Sequence, residues 1–94
     1  MLTPGMAVCW QAARRCAALR GRIVAVVESG TAPVQAVPEL LGLKTTQVRF
    51  SDPSRPRASR HYVIKREEEN QRGALQSVYY LPPARCVASV RGGE

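Results

Sequence analysis

Apolar and polar positions alternate along most of this chain with the period of a strand rather than that of a helix. In GMAVCW, residues 5–10, Met6, Val8 and Trp10 fall on one side, so a strand over 6–11 with one buried face is predicted. Cys9, Ala12, Ala13, Cys16 and Ala17 also recur at helical spacing, and a loop or short helix ending by Gly21 is expected to follow. The clearest strand lies in GRIVAVVESG, residues 21–30, where Ile23 to Val27 run together between glycines. β-Branched residues dominate it and it is too short for a helix, which predicts a central strand.

TAPVQAVPELLGL, residues 31–43, carries Pro33 and Pro38, which forbid a regular ladder and allow at most one helical turn in PELLGL. In TTQVRFSD, Thr46, Val48 and Phe50 alternate with Gln47 and Arg49, predicting a half-buried strand. DPSRPRAS, residues 52–59, breaks the chain with Pro53 and Pro56 and is expected to be an exposed loop. RHYVIKRE resumes the alternation, with Tyr62 and Ile64 inward and His61, Val63 and Lys65 outward. A hairpin between these two strands is predicted, with EEENQRG, residues 67–73, as a long turn after it. In SVYYLPPARCVASV, residues 77–90, two prolines separate two strand-like runs. A short 3-10 turn at LPPA would redirect the chain between a strand ending at Leu81 and one over 85–90, since proline's φ is already set and its missing N–H is not needed.

Ninety-four residues can enclose one modest core, which predicts a single domain over residues 1–94. Only five aromatics are present (Trp10, Phe50, Tyr62, Tyr79, Tyr80), so Val, Ile, Leu and Ala must fill the core. The resulting expectation is a mainly β fold of five short strands.

Those strands, with a proline-containing turn before the last, resemble the Src-homology-3-like small barrels, a group that includes Tudor and KOW modules. The resemblance rests on GMAVCW, RGRIVAVV, TQVRF, RHYVI and VYYLPPARCVASV. It implies a five-stranded closed barrel. The peptide-binding branch of that group uses an acidic loop and a Trp after the third strand. Here the single Trp10 is N-terminal and the corresponding loop is basic, so proline-rich peptide binding is not carried over. The layout is also similar to small uncharacterised proteins of phages and other mobile elements, which implies a setting and not an activity.

Charge changes the picture most. The chain has 14 Lys and Arg against 7 Asp and Glu, and twelve of the fourteen are Arg. Residues 1–66 hold eleven basic and three acidic side chains (+8) and residues 67–94 three and four (−1). Such an excess steers polyanions or acidic protein faces, and each guanidinium offers a planar fork to phosphate or carboxylate. Arg49, Arg55, Arg57, Arg60 and His61 are the first-choice contact residues, beside the ring of Tyr62; Arg14, Arg15, Arg20 and Arg22 form a second cluster that would share their face in a closed barrel. The same Arg content would also follow from codon usage in a GC-rich genome.

Catalysis is disfavoured by elimination. His61 is the only histidine, and neither a Gly-rich phosphate loop nor a nucleophile elbow occurs. Glu67, Glu68 and Glu69 read as a solvated acidic run rather than a metal site. Cys9, Cys16 and Cys86 are an odd number without zinc-ligand spacing, so neither metal nor disulfide is expected, and Cys86 reads as a core residue. No apolar run is long enough to cross a bilayer, and the start lacks a signal-peptide layout, which predicts a cytoplasmic protein. The sequence thus predicts a cofactor-free, non-enzymatic module whose Arg-rich face engages nucleic acid. The alternative partner is an acidic protein surface, as for an inhibitor of a host nucleic-acid-targeting defence complex (anti-CRISPR-like) or an adaptor in a particle. A homodimer through an edge strand, on an apolar strip of Val63 or Tyr79, is a further expectation.

Overall fold

The computed structural model describes residues 2–11 and 17–90. Five strands form one antiparallel sheet: β1 (Ala7–Gln11), β2 (Ala18–Val27), β3 (His61–Glu69), β4 (Leu75–Tyr80) and β5 (Val87–Ser89), in the order β4-β3-β2-β1-β5. The predicted first strand and central strand are both present. Residues 12–16, which hold the middle of the alternative N-terminal helix, lie outside the described residues; the chain is strand up to Gln11 before them and again from Ala18 after them. The expected 3-10 turn before the last strand occupies Ala84–Cys86, where Pro83 sets the entry. The two ends of the order, β4 and β5, share no ladder among the described residues, so the sheet is not closed.

Both faces of the sheet bury apolar side chains. On one face Val8, Trp10, Ile23, Tyr62 and Ile64 form a cluster, with the Trp10 and Tyr80 rings meeting edge-on at 5.1 Å. On the other, Val27 and Val63 pack with Val37 and Leu40 from the segment that links β2 to β3. That segment holds a one-turn helix α1 (Pro33–Ala36) and 3-10 turns at Pro38–Gly42 and Thr45–Gln47. It lies over one half of this outer face, and burying that apolar surface stabilises a small chain that one core alone would barely hold.

Several expectations are corrected. TTQVRFSD is not a strand. Thr45–Gln47 is a 3-10 turn, and only Val48 bridges, in parallel, to Tyr79. Its alternation reflects a segment lying along β4, with Arg49 N–H donating to the Tyr79 carbonyl (2.9 Å). β3 therefore pairs with β2 and β4 and forms no hairpin with residues 45–52. The acidic run is strand, because β3 continues to Glu69 and the turn spans Asn70–Ala74. Asn70 Oδ1 accepts the Arg72 and Ala74 N–H groups, and Gly73 supplies a φ of 79° that only glycine adopts freely. Val63 is fully buried rather than outward, and Tyr79 is half-buried against the same cluster. Cys86 is exposed in the 3-10 turn rather than in the core, because the last strand starts one residue later, at Val87.

Candidate anion-binding groove

Strand β2 serves two partners in turn. Ala18 to Arg22 pair with β1, and Arg22 to Val27 pair with β3, with a bulge between Ile23 and Ala25 that sharpens the local twist. Arg22 belongs to both ladders. Past the Arg22–Lys65 pair the two strands part, as β3 runs on to Glu69 beside β4 while the start of β2 stays with β1. Gly21 marks this parting. A Cβ there would lie 2.7 Å from the Lys65 carbonyl oxygen and 2.7 Å from Ile64 Cγ2, and 3.3 Å from the Trp10 ring. Without a side chain at 21, Trp10 lies flush on the inner face while β2 crosses close to β3.

The parting opens a groove of about 450 Å³, lined by Arg20, Gly21, Arg22 and Val24 on one wall and by Lys65, Arg66 and Glu67 on the other. Directly opposed residues of an antiparallel pair share a face, so the pairs Cys9–Arg20, Ala7–Arg22, Arg22–Lys65 and Lys65–Tyr79 put Arg20, Arg22 and Lys65 on the outer face. This is the face whose other half lies under α1. One surface thus has a covered apolar half and an open cationic half. Arg20 and Lys65 are exposed and in no ion pair among the described residues. Arg22 donates one N–H to the Gly5 carbonyl (3.1 Å), which steadies its guanidinium and leaves other donors outward. Arg66 points to the inner side and pairs with Glu68 at 3.1 Å, and Glu67 accepts the Ser77 hydroxyl at 3.1 Å. The acidic side chain is thereby held toward β4.

The first-choice loop arginines are engaged elsewhere. Arg57 donates to the carbonyls of Asp52 (3.2 Å), Arg55 (3.1 Å) and Ser51, stapling its own loop. Its backbone exchanges hydrogen bonds with Gly30 and Thr31. Arg60 pairs with Glu28 at 2.8 Å, and the carboxylate raises the guanidinium's pKa by hydrogen bond and charge. His61 Nδ1 meets the Ser59 carbonyl at 2.8 Å, so it carries the proton and donates. Of the three loop guanidiniums only that of Arg55 has no such partner among the described residues. Arg49 donates to the Thr46 carbonyl and to Glu68.

The two arginine clusters also fail to converge. Arg57 and Arg60 are tied to the segment just beyond the end of β2, whereas Arg20 and Arg22 lie near its start. Six residues separate Arg22 from Glu28, roughly 20 Å of strand path at ~3.3 Å per residue. Arg14 and Arg15 lie outside the described residues. Sequence reasoning missed Lys65 and Arg66 as groove residues. The signal was the KR pair directly after YVI, but it acquires meaning only when β3 is known to lie beside β2.

A second polar centre closes the inner face near Arg49. Glu68 accepts from the Tyr80 hydroxyl and pairs with Arg66 and Arg49. Partial burial pushes the Glu68 carboxyl up, but the Tyr80 hydrogen bond and the charges of Arg66 and Arg49 outweigh it and hold the carboxyl below its ordinary range. Burial and the hydrogen bond to Glu68 raise the Tyr80 phenol. These groups satisfy one another, which suits a structural tie. No group of three or more His, Cys, Asp or Glu that could hold a metal occurs among the described residues. No helix among them is long and apolar enough to cross a membrane. Set against known protein families, curated proteins and solved structures, the chain matches none.

Proposed function

We propose that this protein is a non-enzymatic binding module of the Src-homology-3-like small-barrel type, and that it engages nucleic acid through the open cationic half of its sheet. Three features support the fold reading: the strand order, a β2 that divides its pairing between β1 and β3, and the 3-10 turn ahead of β5. One observation carries the functional reading. Arg20, Arg22 and Lys65 stand side by side on an exposed strip, with no carboxylate paired to any of them among the described residues. Like charges gathered in this way repel one another, and a bound polyanion relieves that repulsion while releasing its own counterions.

The contact set therefore moves from the loop to the strands. Arg20 and Arg22, with Lys65, are the principal residues. Arg55 is exposed in its loop away from the groove, and Arg49, Arg57, Arg60 and His61 keep the scaffold in shape. Gel-shift titration of the pure protein against single- and double-stranded DNA and RNA at low and at physiological salt tests the reading. A shift at low salt that weakens steeply at physiological salt is expected. Absence of a shift with every nucleic acid at low salt would defeat it, and capture of one protein at fixed stoichiometry would then favour an acidic protein surface.

A further inference from the structure

Resting on that reading, we infer that the groove takes a linear chain of phosphates by charge alone, through a footprint of three cations, and does not discriminate between bases. Two features of the molecule set this. The first is where the aromatic rings stand. Binders that hold single strands by their bases present exposed rings inside the basic track. Here no aromatic residue lines the groove among the described residues. Trp10 and Tyr62, 3% and 6% exposed, are buried on the opposite face with the half-buried Tyr80 packed against them, and Tyr79 is half-buried beyond Lys65 against the covered apolar half. Bases have nothing in the groove to stack on.

The second is where the positive strip ends. Arg20 and Arg22 are two residues apart on one strand, so their side chains repeat every ~6.7 Å, and Lys65 stands across from Arg22. Toward β4 the strip gives way to Glu67, fixed by Ser77. Toward the far end of β2 it gives way to the uncharged pair Ala25–Val63 and then to the covering segment. Among the described residues nothing continues the track, so the footprint they define is small. Phosphate oxygens are the groups such a strip recognises, whether they belong to DNA, RNA or an inorganic polyphosphate chain.

Fluorescence anisotropy of the full chain with labelled oligo-dT, oligo-dA and a mixed-sequence duplex, at salt between about 50 and 200 mM, reads the footprint directly. Three neutralised phosphates give a log–log salt slope of about −2.7 on duplex and about −2 on single strands. The two homopolymers are expected to bind within about twofold of one another, and inorganic polyphosphate to displace them at a similar concentration of phosphate. Each of Arg20→Ala, Arg22→Ala and Lys65→Ala should make the slope shallower by about one phosphate, with circular dichroism confirming that each variant is folded. A slope steeper than about −5, a preference of more than tenfold between dT and dA, or failure of polyphosphate to compete overturns the charge-only footprint while leaving nucleic-acid binding intact. No binding to any oligonucleotide at the lowest salt overturns the functional reading itself.

Discussion

Gly21 shows how much one missing side chain does in this molecule. The space where its Cβ would stand is filled by Ile64, the Lys65 carbonyl and Trp10, the carbonyl being backbone and the two side chains buried core. Gly21→Ala must push β2 off β3, at a cost of about 1–3 kcal/mol. A lower denaturant midpoint, followed by the fluorescence of the single Trp10, is the expected outcome; an unchanged midpoint would mean that the strands do not approach so closely. In the sequence Gly21 reads as the end of an element, because a glycine between charged residues carries no sign of what crosses it. Its neighbours Arg20 and Arg22 were legible as cations, and which of the chain's arginines stay unpaired was not.

Glu68 supplies a prediction with a sign. Its folded-state pKa lies below the ordinary value, so its contribution to stability is fully present above that value and is lost as pH falls through the folded pKa. Thermal stability measured from neutral pH downward should decline below about pH 4.5, the ordinary value of such a carboxyl. Glu68→Gln should be less stable at neutral pH and decline less steeply in acid. Parallel acid limbs for the two proteins would show that the tie to Tyr80, Arg66 and Arg49 contributes nothing. Tyr80 has the opposite sign. Its raised pKa gives stability that is present below the ordinary phenol value and lost as pH rises through the folded one.

At the scale of elements, β2 and β3 carry the account, and their existence was readable from Ile23–Val27 and from Tyr62–Ile64. What lay on the two sides of β3 was not. Strict alternation promises one wet face, yet Val63 is fully buried because residues 33–43 fold back over it. That covering segment is built of single short helical turns, so its hold on the sheet is a matter of long-range packing that no local pattern announces. Val63→Ala should cost about 1–3 kcal/mol, and Val63→Asp should leave the chain unfolded by circular dichroism. Leu41, 70% exposed in the same segment, should tolerate Ala within about 0.5 kcal/mol. A mild effect of Val63→Asp would place the segment away from the sheet. The edges follow the same logic: the outer edge of β4 is occupied at Ser77 and Tyr79, whose carbonyls accept from Gln47 and from the Arg49 N–H, which limits strand-to-strand addition there.

For the whole molecule, the decisive fact is how its charge is divided. Composition gave the sign and size of the excess, and the run DPSRPRAS drew attention to the loop because its arginines are close together in sequence. Proximity along the chain is a poor guide here, since a loop's guanidiniums are the donors best placed to staple the loop itself, as Arg57 does, or to meet a nearby carboxylate, as Arg60 does. Strand arginines two apart have no such local acceptors on an open face, and they stay available. In a molecule of 35 × 30 × 26 Å, the roughly 20 Å between the two clusters spans much of one side, so they are separable by experiment. The most direct measurement is a titration of the isotopically labelled protein with a short oligonucleotide, followed by the backbone amide resonances. Binding in the groove predicts shifts concentrated at residues 20–22 and 65–67, with residues 55–61 nearly unmoved; shifts centred on 55–61, with the β2–β3 groove silent, would contradict it.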